Sequence, residues 1–539
     1  MVFTLHRYIF RELLKVFIPT SITLTLILSL GSILRPVQEY GVGPGQVVHL
    51  MGYFLPIILT FVIPMGALFA TALVYGRFAS DNELDACRAS GICLLTLVYP
   101  GLALAIIVAI ANLILSFHVV PIFVHRAESS LKANAKQILF RNIQRKGFYK
   151  LPPDGRYMIY ADQANPQKDT LSGVVITKVK DNQVKAVYTA ERVKIYFNPQ
   201  LRFYEVQITA HNTYQIGAEG GRSISLGKFS MRMEFGSLLG DDIKFKKIDE
   251  MKKIRDVDIT LFYPIEKLAR QIYSRFTAES LAEDISGRFT DEPNGFYTLY
   301  SAERLVKFTA GRCSLGQEKV IELSDKIVVI EYDETGKQRL RILKCEKASL
   351  HLEGDEMAPT LTMELDNPIW QREEGTEGVA MGWLRIRGLI VPKNVRDAAN
   401  QFATEDGLDA KKMAAELSNL QKGKSVKLKR LQNQLQTKIQ KTLTEIEAEI
   451  HSRLVFGIGC VSLIMIGIGL GILLRDGHLL SAFGASSLPA AVLVVCIMMG
   501  KNITKNSDAQ AGSGIVLMWG GMVLLSLLAI VVYRKLLKN

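Results

Sequence analysis

The chain has 539 residues, with 65 lysines and arginines against 52 aspartates and glutamates, a net charge of +13, and 48% of its residues are hydrophobic. Because 22% of the residues are charged, so high an apolar content requires segregation, and the apolar residues do gather in six long runs. The six cysteines form no CxxC pair, the histidines form no HExxH motif and no GxxxxGK[ST] loop occurs. These absences argue against a local metal site and against ATP hydrolysis by this chain.

Each apolar run can cross a bilayer, because about 20 residues rising about 1.5 Å each span a hydrocarbon core of about 30 Å. The first run is too long for a signal peptide, so we expect it to stay as an anchor. The runs predict a membrane protein with three spans, a large insert and three more spans. They lie within residues 16–34, 51–75, 89–120, 454–474, 479–499 and 513–533.

Basic residues in the short segments predict the orientation, because lysine and arginine are retained on the cytoplasmic side. One set of ends carries Arg7, Arg11, Lys15, Arg77, Arg88, Arg475, Arg534, Lys535 and Lys538, and the opposite set carries Arg35, Lys501 and Lys505. Both termini are therefore expected in the cytoplasm and the insert outside it. If the basic residues at the edges of the insert are counted with the second set, the numbers of basic residues in the two sets become more similar.

The insert, residues 125–453, alternates between apolar and polar residues in two regions, 147–235 and 319–389, which predicts strands, and residues 258–285 are expected to be helical or mixed. The two sheet regions align at an offset of 155 residues, with Glu191 and Asn212 on Glu346 and Asn367. Internal duplication and coincidental strand patterning both explain this likeness.

After the second sheet region, apolar residues recur at spacings of three and four from Met413 to Ile450, with a break at Gly423. This stripe predicts an amphipathic helix that continues into the fourth span. A helical stalk against the β-region and a coiled coil with a partner both fit it.

The resulting division has six parts. Residues 1–124 hold spans one to three with a short loop at 76–92; 125–250 form a first β-rich region; 251–300 form a mixed or helical connector; 301–395 form a second β-rich region; 396–452 form the charged stalk; and 453–539 hold spans four to six.

The loop at 76–92 carries the most informative pattern. Ser80 or Asp81 can cap a short helix, Glu83 lies near the positive end of its dipole, and Gly91 permits a tight return into the bilayer. Such a loop is typical of the coupling helix of an ATP-binding cassette permease, whose carboxylate can pair with a cation of the ATPase. A solvated loop with balanced charges is the alternative.

Four motifs carry a resemblance to a known family: Arg7-Tyr8-Ile9-x-Arg11-Glu12; Pro56 with Pro64-Met65; Glu83-Leu84-x-Ala86-x-Arg88-Ala89-Ser90-Gly91; and Glu449-x-His451-x-Arg453. With these motifs the plan resembles the LptF/LptG permease family, the membrane subunits of the lipopolysaccharide exporter. The resemblance implies three spans, a periplasmic β-jellyroll and three spans. Together with the residue patterns, this predicts an α+β membrane protein in which six transmembrane helices flank a large extracytoplasmic β-jellyroll-like region, single or duplicated, and a helical stalk.

The resemblance also implies partners. Two such subunits, either this chain twice or this chain with a second LptF/LptG-like chain, would face each other in the inner membrane over a cytoplasmic ATPase dimer. They would extract lipopolysaccharide or a related lipid and pass it to a periplasmic β-jellyroll bridge protein. The partner would use the ATP, so no cofactor, metal, catalytic residue or nucleic acid is expected here. Glu83 would contact the ATPase, within a coupling loop that includes Arg77, Asp81, Arg88 and Gly91.

The roles of several side chains allow two interpretations. Arg35 and Arg126 lie at the outer rim of the spans, where a cation either binds a lipid phosphate or anchors its helix at the interface. Cys313 and Cys345 either form a disulfide or are separate core residues. Glu447 and Glu449 point to different faces of a helix, and we expect both to be solvated.

Two features depart from the family pattern: the insert is about twice the usual size, and the loop at 501–512 lacks a proline-rich approach to the last span. The lipid could accordingly differ from standard lipopolysaccharide. A membrane-anchored structural or sensory scaffold, assembled through the insert and stalk, is the alternative function, and it leaves the six spans and the Glu83 loop unexplained. An intramembrane enzyme is disfavoured, because the spans lack buried ionisable pairs.

Overall fold

The structure is a computed structural model that describes residues 2–40, 44–151, 157–180, 183–199, 204–217, 223–235, 242–292, 295–316, 320–334, 336–354, 357–371, 379–380, 382–404, 407–416, 425–473, 479–506 and 511–538. The chain forms two compact units, Met1–Met251 with Thr442–Asn539, and Lys252–Lys441. Each unit has buried hydrophobic clusters of its own.

The helices of the described chain fall in both units. They are α1 (Val2–Tyr40), α2 (Pro44–Ser80), α3 (Glu83–Ala89), α4 (Leu94–Ile114), α5 (Val120–Ala133), α6 (Ala135–Lys146), α7 (Ile248–Asp256), α8 (Tyr263–Asp291), α9 (Lys393–Asn400), α10 (Ala410–Glu416), α11 (Val426–Leu473), α12 (Leu479–Asn506) and α13 (Ala511–Lys538). A π-helical turn, Leu115–Val119, joins α4 to α5.

Six helical segments are long and apolar enough to cross a membrane: α1, α2, α4 continued through α5, α11, α12 and α13. The predicted plan of three plus three spans is therefore confirmed. Large apolar side chains face outward on these helices, such as Leu30 at 68% exposure and Val516 at 69%. Apolar surface of this kind marks contact with lipid or with other membrane helices.

Small residues let the second span pack closely against the third and the fourth. A Cβ on Gly471 would lie 2.6 Å from the carbonyl oxygen of Ala72, and a Cβ on Gly101 would lie 3.0 Å from the hydroxyl oxygen of Tyr75. That hydroxyl donates to the carbonyl oxygen of Leu97 at 2.9 Å. Because small residues permit such close approach of membrane helices, the end of α2 is held firmly against its neighbours.

The first unit contains one antiparallel sheet whose six strands follow chain order. Alternate side chains of the sheet point toward α6, where Ile138 and Leu139 join Ile159, Val193 and Ile208 in one buried cluster. The strands are β1 (Phe148–Lys150), β2 (Tyr157–Asn165), β3 (Thr170–Lys180), β4 (Gln183–Pro199), β5 (Tyr204–Gly217) and β6 (Ser223–Phe235).

The second unit contains a nine-stranded sheet, in the order β14-β13-β11-β12-β15-β7-β8-β10-β9, and a small pair, β16 with β17. The strands are β7 (Tyr297–Tyr300), β8 (Arg304–Thr309), β9 (Arg312–Leu315), β10 (Val320–Asp333), β11 (Arg339–Gly354), β12 (Pro359–Asp366), β13 (Ile369–Gln371), β14 (Val379–Ala380), β15 (Trp383–Ile390), β16 (Ala403–Thr404) and β17 (Gly407–Leu408). The additional pairing of β10 with β11 closes six of these strands into a ring, in which β15 meets β7 at Ile390 and Tyr300. Leu281 and Ile285 of α8 are buried in the same cluster as Phe308.

The two sheets repeat one strand pattern. The order β1 to β6 in the first corresponds to β7, β8, β10, β11, β12 and β15 in the second. Adding 155 to the bounds of β4, β5 and β6 gives 338–354, 359–372 and 378–390, which coincide with β11, with β12 and β13, and with β14 and β15.

The same asparagine bends the equivalent strand in both sheets. Asn212 and Asn367 adopt left-handed φ values of 53° and 47°, and the ladder registers set them opposite Glu191 and Glu346. Two unrelated strand pairs have no reason to share both the register and a strained backbone position. Internal duplication is therefore favoured over coincidence.

Several sequence-predicted boundaries differ from the observed elements. The region expected to be β-rich from residue 125 begins with helices, because the apolar residues of α6 recur on one helical face. The connector at 251–300 contains most of α7 and all of α8, and β7 falls within it. The stalk is divided among α9, a strand pair, α10 and α11; its predicted break at Gly423 lies outside the described residues.

Candidate functional site

The loop between the second and third spans folds as a short helix, α3, whose start differs from the prediction. Its N-cap is Asn82, with φ 56° and no side-chain cap hydrogen bond, rather than Ser80 or Asp81. Asparagine tolerates this left-handed conformation, which turns the chain sharply after α2. Leu84, 5% exposed, packs into the cluster formed by the spans and anchors the helix.

The other end of α3 is closed by a Schellman motif. The N–H of Gly91 donates to the carbonyl oxygen of Arg88 at 2.9 Å, and the N–H of Ile92 donates to that of Cys87 at 3.1 Å. This motif needs a left-handed residue at Gly91, whose φ is 84°. α3 is therefore fixed at its end by backbone geometry and along its length by Leu84.

The charged side chains of the loop are exposed. Glu83 stands in the first turn of α3, where the helix dipole favours a negative charge, and Asp81 precedes it. Arg88 lies 3.9 Å from Asp85, with both side chains nearly half exposed, so this pair contributes little to stability. Glu83 is thus presented to the surroundings by a rigid helix.

Arg77 differs from this group in its partner, although its side chain is 41% exposed. It lies in the last turn of α2 and donates through its guanidinium to Glu12 at 3.0 Å, and Glu12 also accepts from Lys15 at 2.5 Å. The carboxylate of Glu12 is 13% exposed. Tyr8 stacks on Phe78 beside this contact, with ring centroids 5.8 Å apart. Arg77 therefore joins α1 to α2.

A cavity of about 590 Å³ lies at the opposite end of the third span. We call it the cation-lined cavity, because Arg126 and Lys247 both face it and no carboxylate lines it within the described part of the chain. The Arg126 guanidinium lies 5.6 Å over the ring of Phe123. The residues that line the cavity are Tyr53, Ile122, His125, Arg126, Ser129, Ser130 and Lys247.

The carboxylate of Glu250, just outside the lining, contacts two of the residues that line the cavity. Glu250 lies 3.6 Å from Nε2 of His125 and accepts from the backbone N–H of Lys247 at 3.3 Å. The neighbouring His125 imidazole, acting against the effect of burial, holds the pKa of Glu250 below its usual value. A carboxylate so engaged leaves the charges of Arg126 and Lys247 available to an anion.

The structure describes the side chain of only one of the two residues predicted to contact a lipid head group. Arg126 lies on the cavity, whereas the side chain of Arg35, within α1, lies outside the described part of the structure. Lys247 was not predicted, because it follows the whole first sheet in the sequence and only the fold brings it to α5.

A buried ion-pair cluster lies beside the cavity and corrects the expectation that Glu449 is solvated. Glu449, 8% exposed in its side chain, pairs with Arg453 at 3.1 Å and with Lys501 at 2.5 Å. Arg453 also donates to the carbonyl oxygens of Ser116 at 2.9 Å and of Lys244 at 2.7 Å. The spacing of four between Glu449 and Arg453 was the available sequence signal.

Cys313 and Cys345 are separate free thiols. Cys313 on β9 and Cys345 on β11 pair with opposite edges of β10, at Leu323 and Ile327. Strands on either side of a third are about 9–10 Å apart, beyond the reach of a disulfide. Burial raises the pKa of each thiol to about 11.

Six spans around a β-rich insert, with a rigid exposed helix at one end and a cation-lined cavity at the other, define a multi-pass membrane protein of the permease type. Residues 7–232 and 318–535 match the family described as lipopolysaccharide export system permease LptF/LptG. The chain therefore belongs to the LptF/LptG family, as the motifs had indicated, and is a transport permease. No curated protein matches it.

Proposed function

We propose that the chain is the transmembrane subunit of an ATP-binding cassette exporter, which extracts lipopolysaccharide or a related anionic glycolipid from the inner membrane. The observation that carries this proposal is α3, a helix fixed by Leu84 and by Gly91 that presents the exposed carboxylate of Glu83. A separate cytoplasmic ATPase dimer would supply the driving force, so this chain itself needs no cofactor.

The orientation follows from the distribution of basic residues. The ends that carry α3 and both termini hold most of the lysines and arginines of the short segments, so these ends face the cytoplasm and the insert faces the periplasm. On this orientation Glu83 meets the ATPase, and the cation-lined cavity opens at the outer side of the inner membrane, where the glycolipid resides.

Motion of the ATPase would reach the spans through α3. Leu84 packs among the buried residues of the spans, and the pairing of Arg77 with Glu12 makes α1 and α2 move as one. A second LptF/LptG-like subunit, or a second copy of this chain, would complete the transport path opposite these helices.

The cation-lined cavity is the proposed site for the phosphates of the lipid. Arg126 offers a bidentate guanidinium and Lys247 a compact ammonium. Ser130 adds a hydroxyl group that can donate to a phosphate oxygen, whereas the hydroxyl of Ser129 donates to the carbonyl oxygen of His125 at 2.9 Å. From there the lipid would pass by the β-rich insert to a periplasmic β-jellyroll bridge protein.

The test is a mild-detergent pull-down of the tagged full chain, with mass spectrometry of bound proteins and extracted lipids. Recovery of an ATP-binding cassette subunit together with a lipid A-type glycolipid is expected. Recovery of neither would overturn the exporter and favour the scaffold function, in which the insert and stalk mediate assembly.

A further inference from the structure

We propose that Arg453 is a positioning residue of the cation-lined cavity, and that the Glu449–Lys501 ion pair makes the shape of this cavity depend on α12. This inference rests on the proposed function, because the cavity is taken as the site for the lipid phosphates. All the residues concerned belong to the unit that contains the spans and the first sheet.

Arg453 contacts the segment that leads into one wall of the cavity. Its guanidinium donates to the carbonyl oxygen of Ser116 at 2.9 Å and lies 5.6 Å over the ring of Phe117. Both residues belong to the π-helical turn that leads directly into α5, the helix of Arg126. π-helical turns interrupt the regular helix bonding and are frequent at functional sites. The position of α5 is therefore tied to Arg453.

The same guanidinium holds the opposite wall. It donates to the carbonyl oxygens of Lys244 at 2.7 Å and of Lys246 at 3.4 Å, in the segment that ends at Lys247. The planar guanidinium has five N–H groups in a fixed fork, so one side chain can serve several acceptors at once. Arg453 thus connects the two segments that carry the cations facing the cavity.

The charge of Arg453 is balanced by Glu449, and this pairing extends to α12. The side chains of Arg453 and Glu449 are 6% and 8% exposed, and buried charges of this kind must be paired. The second oxygen of Glu449 accepts from Lys501 of α12 at 2.5 Å. A shift of α12 would therefore move Glu449, and through it Arg453 and both cavity walls.

A second ion pair offers a matched control. Lys505, one helical turn beyond Lys501 on α12, pairs with Glu445, one turn before Glu449 on α11. Both pairs join the same two helices through the same residue types. Glu445 makes no hydrogen bond or ion pair with Arg453 among the interactions of the described residues, whereas Glu449 does. Lys505 also interacts electrostatically with Asp242 and Glu449, so its variant should affect the cavity less than the Lys501 variant rather than not at all.

The experiment measures the dissociation constant of lipid A for the full chain, purified with its partner chains in nanodiscs, beside the melting temperature and the basal ATPase rate. We expect Lys501→Gln to weaken lipid A binding by about three- to tenfold, the range of coupling between linked sites. Lys505→Gln should change it less than about twofold.

Variants of Arg453 separate positioning from folding. Arg453→Lys keeps the charge beside Glu449 but cannot reach all three carbonyl oxygens, so it should lower the melting temperature less than Arg453→Gln does and still weaken lipid A binding. Arg453→Gln should lower both. If Arg453→Lys binds lipid A normally, or if the Lys501 and Lys505 variants behave alike, Arg453 has only a structural role.

Arg126→Gln distinguishes this inference from the proposed function. Weaker lipid A binding by Arg126→Gln, with normal binding by Lys501→Gln and Arg453→Lys, would overturn the positioning role and leave the cavity as the phosphate site. If the parent protein does not bind lipid A, or Arg126→Gln binds it normally, the phosphate site fails and the inference with it.

Discussion

Glu83 is the single residue on which the proposed ATPase contact depends. Its carboxylate is exposed on a helix held by other residues, so a change of its charge should leave the fold intact. We predict that Glu83→Lys, which places a cation against a cationic partner, lowers lipid-stimulated ATP hydrolysis by the assembled exporter at least about tenfold, since like charges at an interface cost several kcal/mol. The rate is measured in nanodiscs beside the melting temperature.

Asp85→Lys is the matched control for this prediction. Asp85 lies on the same short helix, nearly half exposed, and its nearby partner is Arg88 of the same chain. The control makes the same charge change, so hydrolysis should fall much less than in Glu83→Lys. An equal loss in both variants would mean that only the overall charge of the loop matters, and normal transport by Glu83→Lys would remove the contact altogether.

The thiols of Cys313 and Cys345 give a pH-dependent prediction at the same scale. Burial raises their pKa to about 11, so only about one thiol in a thousand is a thiolate at pH 8. Alkylation should therefore be slow and should accelerate about tenfold per unit of pH between 7 and 9. Mass spectrometry of iodoacetamide-labelled peptides measures this. The exposed Cys93 is the internal control, and rapid labelling of Cys313 or a Cys313–Cys345 disulfide would contradict the packing described.

At the scale of elements, the end of α3 depends on Gly91. Its φ of 84° is unfavourable for a residue with a Cβ, although no neighbouring atom would be met. We predict that Gly91→Ala destabilises the loop by about 1 kcal/mol and reduces coupled ATP hydrolysis through a displaced Glu83, with Gly91→Asn milder. Hydrogen exchange of the loop amides measures the loss. Gly287→Ala in α8 is the control, because this glycine is helical and has open space around it. Amide exchange around residue 287 should be unchanged or slower in this variant. If each of the two alanine variants accelerated exchange equally around its own site, the cause would not be the backbone conformation of Gly91.

The elements that sequence patterns could predict are those set by local periodicity. The spans follow from uninterrupted apolar runs, and the strands of the insert follow from alternation. The short helix of Glu83 and the turn at Gly91 could be predicted, because both depend on residues that are close together in the sequence. Lys247 and the partners of Arg453 could not, since only tertiary packing brings the chain after the first sheet beside α5 and α11.

At the scale of the whole molecule, an internal duplication, which the shared strand order favours, would account for the size of the insert. The family match omits residues 233–317 and resumes just before β10, although the repeat in the second unit already begins at β7. The two sheets share strand order and the bend at Asn212 and Asn367, but the additional pairing of β10 with β11 closes six strands of the second into a ring. The ring strands pair with one another, and the edges of the described sheet are the short strands β9 and β14, which offer little length for another sheet to join.

Because each unit contains a sheet with its own buried cluster, the two should unfold separately. Phe308, 0% exposed, contacts the rings of Phe289 and Tyr297 within the second unit. We predict that Phe308→Ala lowers the stability of this unit by about 3–5 kcal/mol, the cost of a large cavity. Hydrogen exchange should then accelerate in β8, β10 and β11 and remain unchanged in β2 to β5. Ile159→Ala in the first cluster should give the reverse pattern. If either variant accelerates exchange in both sheets equally, the two units unfold as one cooperative structure, and the duplicated sheet is energetically part of the permease rather than a module added to it.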